Sequence, residues 1–332
     1  MTTCSEADWS SAVKMIDDAR QVCLACHVRP DADALGSMLA VAVALASRPG
    51  DQSVVASFGD DPFAVPGILR FLPGQSLLRP PASYPDRPEV VISFDAGSID
   101  RLGRLAGPAA AAGALIVLDH HASNTGFGTV NLVDPAAAAT AMLAAELIDR
   151  LGIGLTEDIA LGLYAGLVTD TGSFKYAATT PQVHQLAARL LATGIEPGTV
   201  ARELYDRAPF GYLGMLAAAL GRAILEPGAA GGLGLVWTTV TRADRKASKL
   251  PYELAESVID VVRKTDEAEV AVVLKEDDQG TWQASVRSKA AVDVSAVCTA
   301  LGGGGHARAA GFSFAGSPAE AVADMLRLLD RQ

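Results

Sequence analysis

The chain has 332 residues, of which 50% are hydrophobic and 5% aromatic, and its formal net charge is −11. A chain of this length favours two domains over one, with a core rich in Ala, Val and Leu. The negative net charge argues against a protein that binds long nucleic acid, because such proteins usually have a basic surface. We therefore expect any nucleotide substrate to be short.

The sequence has no stretch with the properties of a membrane span or a secretory signal. No run reaches the roughly 18 apolar residues that a bilayer requires, and Met1–Ser10 has neither a basic nor an apolar stretch. Among the four cysteines, Cys23 and Cys26 lie three apart on a predicted strand and so point to opposite faces. We interpret both as small buried hydrophobes, and we expect a cytoplasmic protein that does not associate with membranes.

The first half of the chain alternates strand-like and helix-like segments. Short buried strands are predicted at residues 21–27, 53–58, 90–94 and 115–118. Helices are predicted at 34–46, around 99–105, at 136–151 with Pro135 before its first turn, and after an N-cap at Thr156. The alternation predicts an α/β fold, with a doubly wound, mostly parallel sheet and helices on both faces.

The pattern changes in the second half. Helices at 181–193 and 196–206 lead to strands at 233–240, 269–275 and 281–288, with helices at 251–262, 295–301 and 318–329. This order predicts a second, smaller α+β domain. We divide the chain into a first domain at 1–185, a helical linker at 186–224 and a second domain at 225–332.

Residues of the kind that bind metals follow the apolar runs of the first half. They are His27, Asp31, Asp33, Asp95, Asp119, His120, His121 and Asp170. Ligands of doubly wound sheets bind outside the carboxyl ends of the strands, so we expect these side chains to meet at one edge. We expect Asp31 and Asp33 to lie in a loop, on the same side of the turn.

This set of carboxylates and imidazoles predicts two divalent cations that Asp95 bridges. His120 and Asp170 would complete the coordination of the second cation. A water that bridges two cations is deprotonated near neutral pH and attacks phosphorus, while the cations neutralise the phosphate oxygens. The mixed shell favours Mn²⁺, with Mg²⁺, Zn²⁺ and other divalent ions as alternatives. We expect Asp119 to orient His120, and His121 to face the substrate phosphate as a donor or general acid.

A run of four glycines, Gly302–Gly305, precedes His306 in the second half. Glycines let backbone N–H groups approach an anion or a base closely. Because a predicted helix precedes the run and a compact apolar segment follows it, we interpret it as a ligand-binding loop rather than a linker. Arg287 and Ser288 end the preceding strand, where Arg287 is placed to bind a phosphate through two hydrogen bonds or is simply exposed.

The ordered set of motifs resembles a known family. His27-x-x-x-Asp31-x-Asp33, then Asp95, then Asp119-His120-His121, then Asp170 resemble the four motifs of the DHH phosphoesterases. The glycine run and the residues that follow it, up to Gly311, resemble the signature of the DHH-associated C-terminal domain. The size and domain pair are most similar to the nanoRNase group, which combines oligoribonuclease activity with 3′-phosphoadenosine 5′-phosphate phosphatase activity. Some members degrade cyclic di-AMP and its linear product pApA.

The resemblance implies a role for each position. His27 and Asp31 would bind the first metal, Asp33, His120 and Asp170 the second, and Asp95 both. His121 would contact the scissile phosphate, and with Asp95 it forms the catalytic pair. The rest of the nucleotide would lie in a cleft between the domains, against Arg101, Arg287, Ser288, Gly303, Gly304, Gly305 and His306. The family also implies Mn²⁺ as the cofactor and a homodimer.

Three other functions share parts of this pattern. An inorganic pyrophosphatase carries the same first-domain motifs with a different C-terminal domain, so the segment around His306 argues against it. A RecJ-type exonuclease on long DNA would need further domains and a basic channel. A non-catalytic nucleotide sensor would lack a metal ligand or His121, all of which are present. We therefore predict a two-metal phosphodiesterase and phosphatase for short nucleotides.

Overall fold

The apolar runs of the first half form one parallel sheet. Its strands are β1 (Gln21–Cys26), β2 (Ser53–Phe58), β3 (Val90–Phe94), β4 (Ala114–Asp119) and β5 (Val130–Val133). In the computed structural model, which describes residues 4–330, they are ordered β2-β1-β3-β4-β5. The chain winds outward in both directions from β1 and β3, so the predicted doubly wound sheet is confirmed. The short strand β5 was not predicted.

Helices cover both faces of this sheet. They are α1 (Glu6–Asp18), α2 (Ala32–Ala46), α3 (Ala106–Ala110), α4 (Thr140–Arg150), α5 (Glu157–Asp170), α6 (Pro181–Leu191) and α7 (Pro197–Tyr205). Short 3-10 helices lie at Gly67–Leu69, Gln75–Leu77, Pro81–Ser83 and Ile99–Leu105. Cys26 and Cys23 are fully buried in the cores on opposite faces, and burial raises the pKa of Cys23 to about 12. Both cysteines are therefore inert packing residues, as interpreted.

The start of α2 differs from the prediction. The helix begins at Ala32, so Asp33 lies in its first turn and not in a loop. Asp31 is the N-cap residue, and its carboxylate accepts the backbone N–H of Ala34 at 3.0 Å. The capping requirement of the helix therefore places the two aspartates differently, one at the exposed end and one inside the fold.

The start of α4 also differs from the prediction. The helix begins at Thr140 instead of Ala136, which leaves Pro135 outside it. The backbone N–H groups of Thr140 and Ala141 donate to the carboxylate of Asp33 at 2.6 and 2.9 Å. A distant side chain thus caps this helix, and no local sequence signal marks that boundary.

A second unit begins at Ala208, and the first ends at Arg207. The segment 186–224 is accordingly divided, with α6 and α7 in the first unit and the helix after Ala208 in the second. The second unit contains α8 (Gly211–Leu220), the short turn α9 (Ala229–Gly232), α10 (Arg242–Ser248), a 3-10 helix at Tyr252–Ala255, α11 (Val258–Val262), α12 (Val294–Ala300) and α13 (Pro318–Leu329).

The sheet of the second unit is mixed, as expected for an α+β domain. Its strands are β6 (Ile224–Glu226), β7 (Leu235–Val240), β8 (Val270–Glu276), β9 (Trp282–Ser288), β10 (Gly304–His306) and β11 (Ala309–Phe314). Over residues 4–330 they are ordered β10-β11-β9-β8-β7-β6, and β7 and β8 form the parallel pair. Within the same range, no helix is long and apolar enough to cross a membrane.

Candidate metal centre

The ends of three neighbouring strands bring the predicted ligands together. The last residues of β1 and β3 are register partners, and Phe94 of β3 pairs with Leu118 of β4. The residues that come next, His27, Asp95 and Asp119, therefore stand side by side at the carboxyl edge. This is the edge at which the fold class predicts a ligand site.

Asp95 lies at the centre of the cluster. Its Oδ2 is 3.5 Å from Nε2 of His27, and its Oδ1 is 3.5 Å from Nε2 of His120. The carboxylate is 3% exposed, and the backbone of Asp95 has a φ of 56°, in the left-handed region that few residues other than glycine adopt. The two oxygens of one buried carboxylate thus face two different imidazoles, and a strained turn holds them there.

The first group of ligands consists of His27, Asp31 and Asp95, whose ligand atoms lie within 4.8 Å of one another. Nδ1 of His27 lies 2.9 Å from the carbonyl oxygen of Val28. A carbonyl can only accept, so Nδ1 carries the proton and Nε2 presents its lone pair to the carboxylates. This is the tautomer that a metal-binding imidazole needs.

The second group consists of Asp33, Asp95 and His120, again within 4.8 Å. Asp170, the last residue of α5, adds its Oδ2 at 3.2 Å from Nε2 of His120. Nδ1 of His120 lies 3.3 Å from the carbonyl oxygen of Ala137, which selects the same tautomer as in the first group. All six predicted metal ligands therefore meet at one edge, in two groups that share Asp95.

The electrostatics of the cluster fit a cation site. Burial and the charges of Asp170 and Asp95 raise the pKa of Asp33 well above its ordinary value, and burial raises the pKa of Asp170 to about 6. Although burial disfavours protonated His120, Asp170 and Asp95 raise its pKa to about 11. This many buried carboxylates cannot all be ionised together unless positive charge compensates them, and divalent cations supply that charge.

Asp119 orients His121 and not His120, contrary to the prediction. Its Oδ1 accepts from Nδ1 of His121 at 2.7 Å, and its Oδ2 accepts from Nδ2 of Asn124 at 2.6 Å. Asp119 is fully buried, whereas the side chain of His121 is 26% exposed. The prediction was wrong because the strand end alone does not say which neighbouring ring turns toward the acid.

Thr140 is a site residue that the sequence did not reveal. Its hydroxyl donates to Oδ1 of Asp95 at 2.8 Å, and its backbone N–H donates to Oδ2 of Asp33 at 2.6 Å. Ser37 and Ala141 donate to the other oxygen of Asp33 at 3.1 and 2.9 Å. A buried threonine that lies 45 positions from Asp95 in sequence forms no recognisable motif with it.

Arg101 lies on the 3-10 helix that follows Asp95, with an exposed side chain. Its backbone carbonyl accepts the N–H of Val28 at 2.8 Å, which ties the loop after β1 to this helix. The backbone N–H of Arg29 in the same loop donates to the carboxylate of Asp60 at 2.9 and 3.0 Å. Two neighbouring segments therefore fix the loop that carries His27.

Part of the glycine run in the second unit is required by backbone conformation and packing. Gly302, with a φ of 81°, ends α12, and the run continues as strand β10 paired with β11, not as a loop. A Cβ on Gly303 would lie 2.0 Å from the carbonyl oxygen of Gly311, so the close approach of the strands requires glycine there. A Cβ on Gly304 would meet nothing within 4 Å. Gly305 and His306 follow at the exposed end of β10.

Arg287 and Ser288 end β9 with different environments. Arg287 is half-buried, and its Nη1 donates to the carbonyl oxygen of Val286 at 3.0 Å. Ser288 is 3% exposed, and its hydroxyl donates to Oε1 of Glu269 at 3.0 Å. The same Oε1 accepts the N–H groups of the next turn, at residues 290 and 291. Ser288 thus stabilises the turn that follows the strand.

Both halves of the chain match known domain families. Residues 21–167 match the DHH family N-terminal domain, and residues 247–332 match the DHHA1 domain. The first range contains every proposed metal ligand except Asp170, and the second contains the glycine run.

Two relatives extend the similarity over most of the chain. A bifunctional oligoribonuclease and PAP phosphatase NrnA from Thermus thermophilus is 32% identical over 293 residues, covering 88% of this chain and 84% of the relative. A probable enzyme of the same description from Streptococcus mutans is 25% identical, with 86% of each chain covered. Among solved structures, an exopolyphosphatase-related protein from Bacteroides fragilis has a TM-score of 0.88 at 23% identity, covering 100% of this chain and 98% of that one.

Proposed function

The chain belongs to the DHH family of phosphoesterases, and we propose that it is a two-metal hydrolase of short nucleotides. The substrates that we propose are pApA and other nanoRNA dinucleotides, 3′-phosphoadenosine 5′-phosphate, and cyclic di-AMP. The relative from Thermus thermophilus is named as an oligoribonuclease and PAP phosphatase, which supports the dinucleotides and 3′-phosphoadenosine 5′-phosphate as substrates here. The observation that carries the proposal is the buried carboxylate of Asp95, with one oxygen facing each of two ligand groups.

We propose that each ligand group holds one divalent cation. His27 and Asp31 would bind one cation, Asp33, His120 and Asp170 the other, and Asp95 both. Bound cations supply a nucleophile from water and neutralise the charge of the phosphate oxygens. The mixture of carboxylate oxygens and imidazole nitrogens favours Mn²⁺ over Mg²⁺.

His121 is the residue that we assign to proton donation. Asp119 accepts from Nδ1 of His121, which directs the opposite edge of the ring away from Asp119. Although burial disfavours the charged ring, Asp119 and Asp95 raise the pKa of His121 above its ordinary value. A protonated imidazole beside the metal ligands can hydrogen-bond to the substrate phosphate and transfer its one available proton to the leaving-group oxygen. Its partial exposure fits contact with a substrate.

We further propose that the nucleotide beyond the scissile phosphate is bound by Arg101, Arg287, His306 and the backbone of Gly303–Gly305. An arginine recognises phosphate through paired hydrogen bonds, and glycine backbone can approach a base closely. For Ser288 we propose a supporting role, because its hydroxyl donates to the carboxylate of Glu269.

The four cysteines are free and buried, which agrees with the reducing cytoplasm that we propose as the location. We also propose a homodimer.

A turnover assay with Mn²⁺ tests the proposed function. The four substrates named above, with pyrophosphate as a fifth, are compared side by side for the wild-type protein and the Asp95→Ala variant. We expect turnover of at least one short nucleotide, and a loss of at least about 1000-fold in Asp95→Ala because both cation sites lose a ligand. Asp51→Ala is the matched control, since Asp51 is exposed before β2, at the opposite end of the strands.

Other outcomes would contradict the proposal. Turnover of pyrophosphate alone would identify a pyrophosphatase. Nucleotide binding without turnover would identify a sensor. Full activity of Asp95→Ala would exclude the shared carboxylate from the reaction.

A further inference from the structure

The peptide group between Val28 and Arg29 has hydrogen bonds on both of its sides. Its carbonyl oxygen, on Val28, lies 2.9 Å from Nδ1 of His27, the ring nitrogen that carries the proton. Its N–H, on Arg29, donates to both carboxylate oxygens of Asp60, at 3.0 and 2.9 Å. A trans peptide group is planar, so its N–H and C=O point in opposite directions. One rigid group therefore connects the carboxylate of Asp60 to the ring of His27.

The backbone at Arg29 has an unfavourable conformation. Its φ is 54°, in the left-handed region that costs free energy for a residue with a Cβ. The next residue is Pro30, and a residue before proline favours an extended backbone with a negative φ. A conformation of this kind persists only where the surrounding structure holds it. The hydrogen bonds to Asp60 accept at a charged group and are therefore strong enough to do so.

The segment that carries Asp60 is itself fixed in place. It follows β2, and the carbonyl oxygen of Gly59 accepts the N–H of Arg104 at 3.3 Å. A Cβ on Gly59 would lie 2.1 Å from another carbonyl oxygen of the 3-10 helix Ile99–Leu105, so the two segments pack closely. The carboxylate of Asp61 pairs with the guanidinium of Arg104. Asp60 therefore has a rigid support from which to hold the loop after β1.

We propose that Asp60 is a positioning residue for the first cation site, which is formed by His27, Asp31 and Asp95. The inference rests on the two-cation site proposed above. By holding the N–H of the peptide group, Asp60 orients its carbonyl oxygen toward Nδ1 of His27. Nε2 of the ring then faces the carboxylates of Asp31 and Asp95, at 3.8 and 3.5 Å. Asp60 thus raises the affinity of this site through a partner of the histidine and not through contact with the cation.

The second ligand group is held by different contacts. Asp33 accepts from the hydroxyl of Ser37 and from backbone N–H groups at the start of α4. Nδ1 of His120 lies 3.3 Å from the carbonyl oxygen of Ala137. None of these contacts involves Asp60. Loss of the Asp60 carboxylate should therefore weaken one cation site and leave the other close to its wild-type affinity.

Calorimetric titration with Mn²⁺ tests the proposal, because it counts the cation sites and measures the affinity of each. We expect two sites in the wild-type protein. In Asp60→Ala one site should weaken by roughly 10–100-fold, as for other groups that orient metal ligands, while the second site is retained. Asp60→Asn keeps one oxygen that accepts the N–H of Arg29, so it should lose less affinity than Asp60→Ala.

Arg29→Gly in the Asp60→Ala background tests the connection through the peptide group. Glycine adopts a positive φ without steric cost, so the peptide group can keep its orientation without Asp60. The double variant should therefore recover most of the lost affinity. Asp61→Ala is the matched control, because it removes the same charge from the neighbouring residue, which pairs with Arg104. It should keep both sites, and thermal unfolding without Mn²⁺ monitors the fold of every variant.

Several results would contradict the inference. Two wild-type sites that Asp60→Ala retains at full affinity would overturn it and leave the proposed function standing. Equal weakening of both sites, or the same loss in Asp61→Ala, would also overturn it, because the cause would then be the fold or the charge. A double variant no better than Asp60→Ala would exclude the connection through the peptide group. A wild-type protein that binds no Mn²⁺ would overturn the proposed function as well.

Discussion

At the scale of single residues, Thr140 holds two proposed metal ligands at once. Its hydroxyl donates to Asp95, and its backbone N–H donates to Asp33. Groups that orient metal ligands through hydrogen bonds contribute to metal affinity without touching the cation. Thr140 therefore connects the start of α4 to the shared carboxylate of the metal centre.

Replacing Thr140 with Val removes the hydroxyl and keeps both the side-chain shape and the backbone N–H. We expect Mn²⁺ affinity and kcat to fall by roughly 10–100-fold, because Asp95 loses the donor that fixes its Oδ1. Thr140→Ser keeps the hydroxyl and should restore both to near the wild-type values. Calorimetric titration with Mn²⁺ measures the affinity, and thermal unfolding without Mn²⁺ monitors the fold. Equal affinities in wild type and Thr140→Val would exclude this positioning role.

At the scale of structural elements, the glycines before His306 serve two different purposes. Gly303 allows β10 to approach β11, where a Cβ would lie 2.0 Å from a carbonyl oxygen. Gly304, the next residue and the first of β10, has open space where its Cβ would be. Substitutions at these two positions can therefore distinguish a role in strand packing from a role in nucleotide binding.

The pair Gly303→Ala and Gly304→Ala tests this separation. Gly303→Ala should destabilise the second unit by about 2–3 kcal/mol, because β10 must move away from β11. Gly304→Ala should change stability by less than about 0.5 kcal/mol. If the backbone of β10 contacts the nucleotide, Gly304→Ala should still raise KM for dinucleotides. Chemical denaturation and steady-state kinetics measure the two effects, and equal losses of stability would contradict the assignment.

At the scale of the whole molecule, the fold concentrates negative charge at one edge of the first sheet. The six proposed ligands include four aspartates, and three of these are largely buried. Burial and neighbouring carboxylates raise the pKa values of Asp33 and Asp170, so keeping both of them ionised without a cation carries an electrostatic cost. A cation that binds the folded state relieves this cost and stabilises the fold.

Mn²⁺ should therefore raise the melting temperature of the protein. At about 100 times the dissociation constant, one site adds about 2.7 kcal/mol, which corresponds to roughly 5–10 °C for a unit of this size. His120→Ala should lose most of this increase, whereas His184→Ala should keep it, because His184 is an exposed histidine of α6. Differential scanning fluorimetry with and without Mn²⁺ measures the shifts. The same increase in both variants would exclude His120 from the site.

The strands of the first sheet and the edge at which polar residues gather could be predicted. Apolar runs of strand length are local features, and a polar residue that follows such a run stands at the end of the strand. The partner of Asp119 could not be predicted, because His120 and His121 are both adjacent to it in sequence. The exposure of one side of α8 could not be predicted either, since an apolar helix is expected to be covered.

The sequence by itself determined the doubly wound sheet, the set of metal-type ligands and the edge where they meet. The tertiary structure decided that Asp33 caps α4, that Thr140 reaches Asp95, that Asp119 holds His121 and that α8 stays exposed on one side. The physical reason is the distance along the sequence between the residues that interact. Periodicity and strand ends depend on neighbours in sequence, whereas caps, second hydrogen-bond partners and exposed faces depend on residues that only folding brings together.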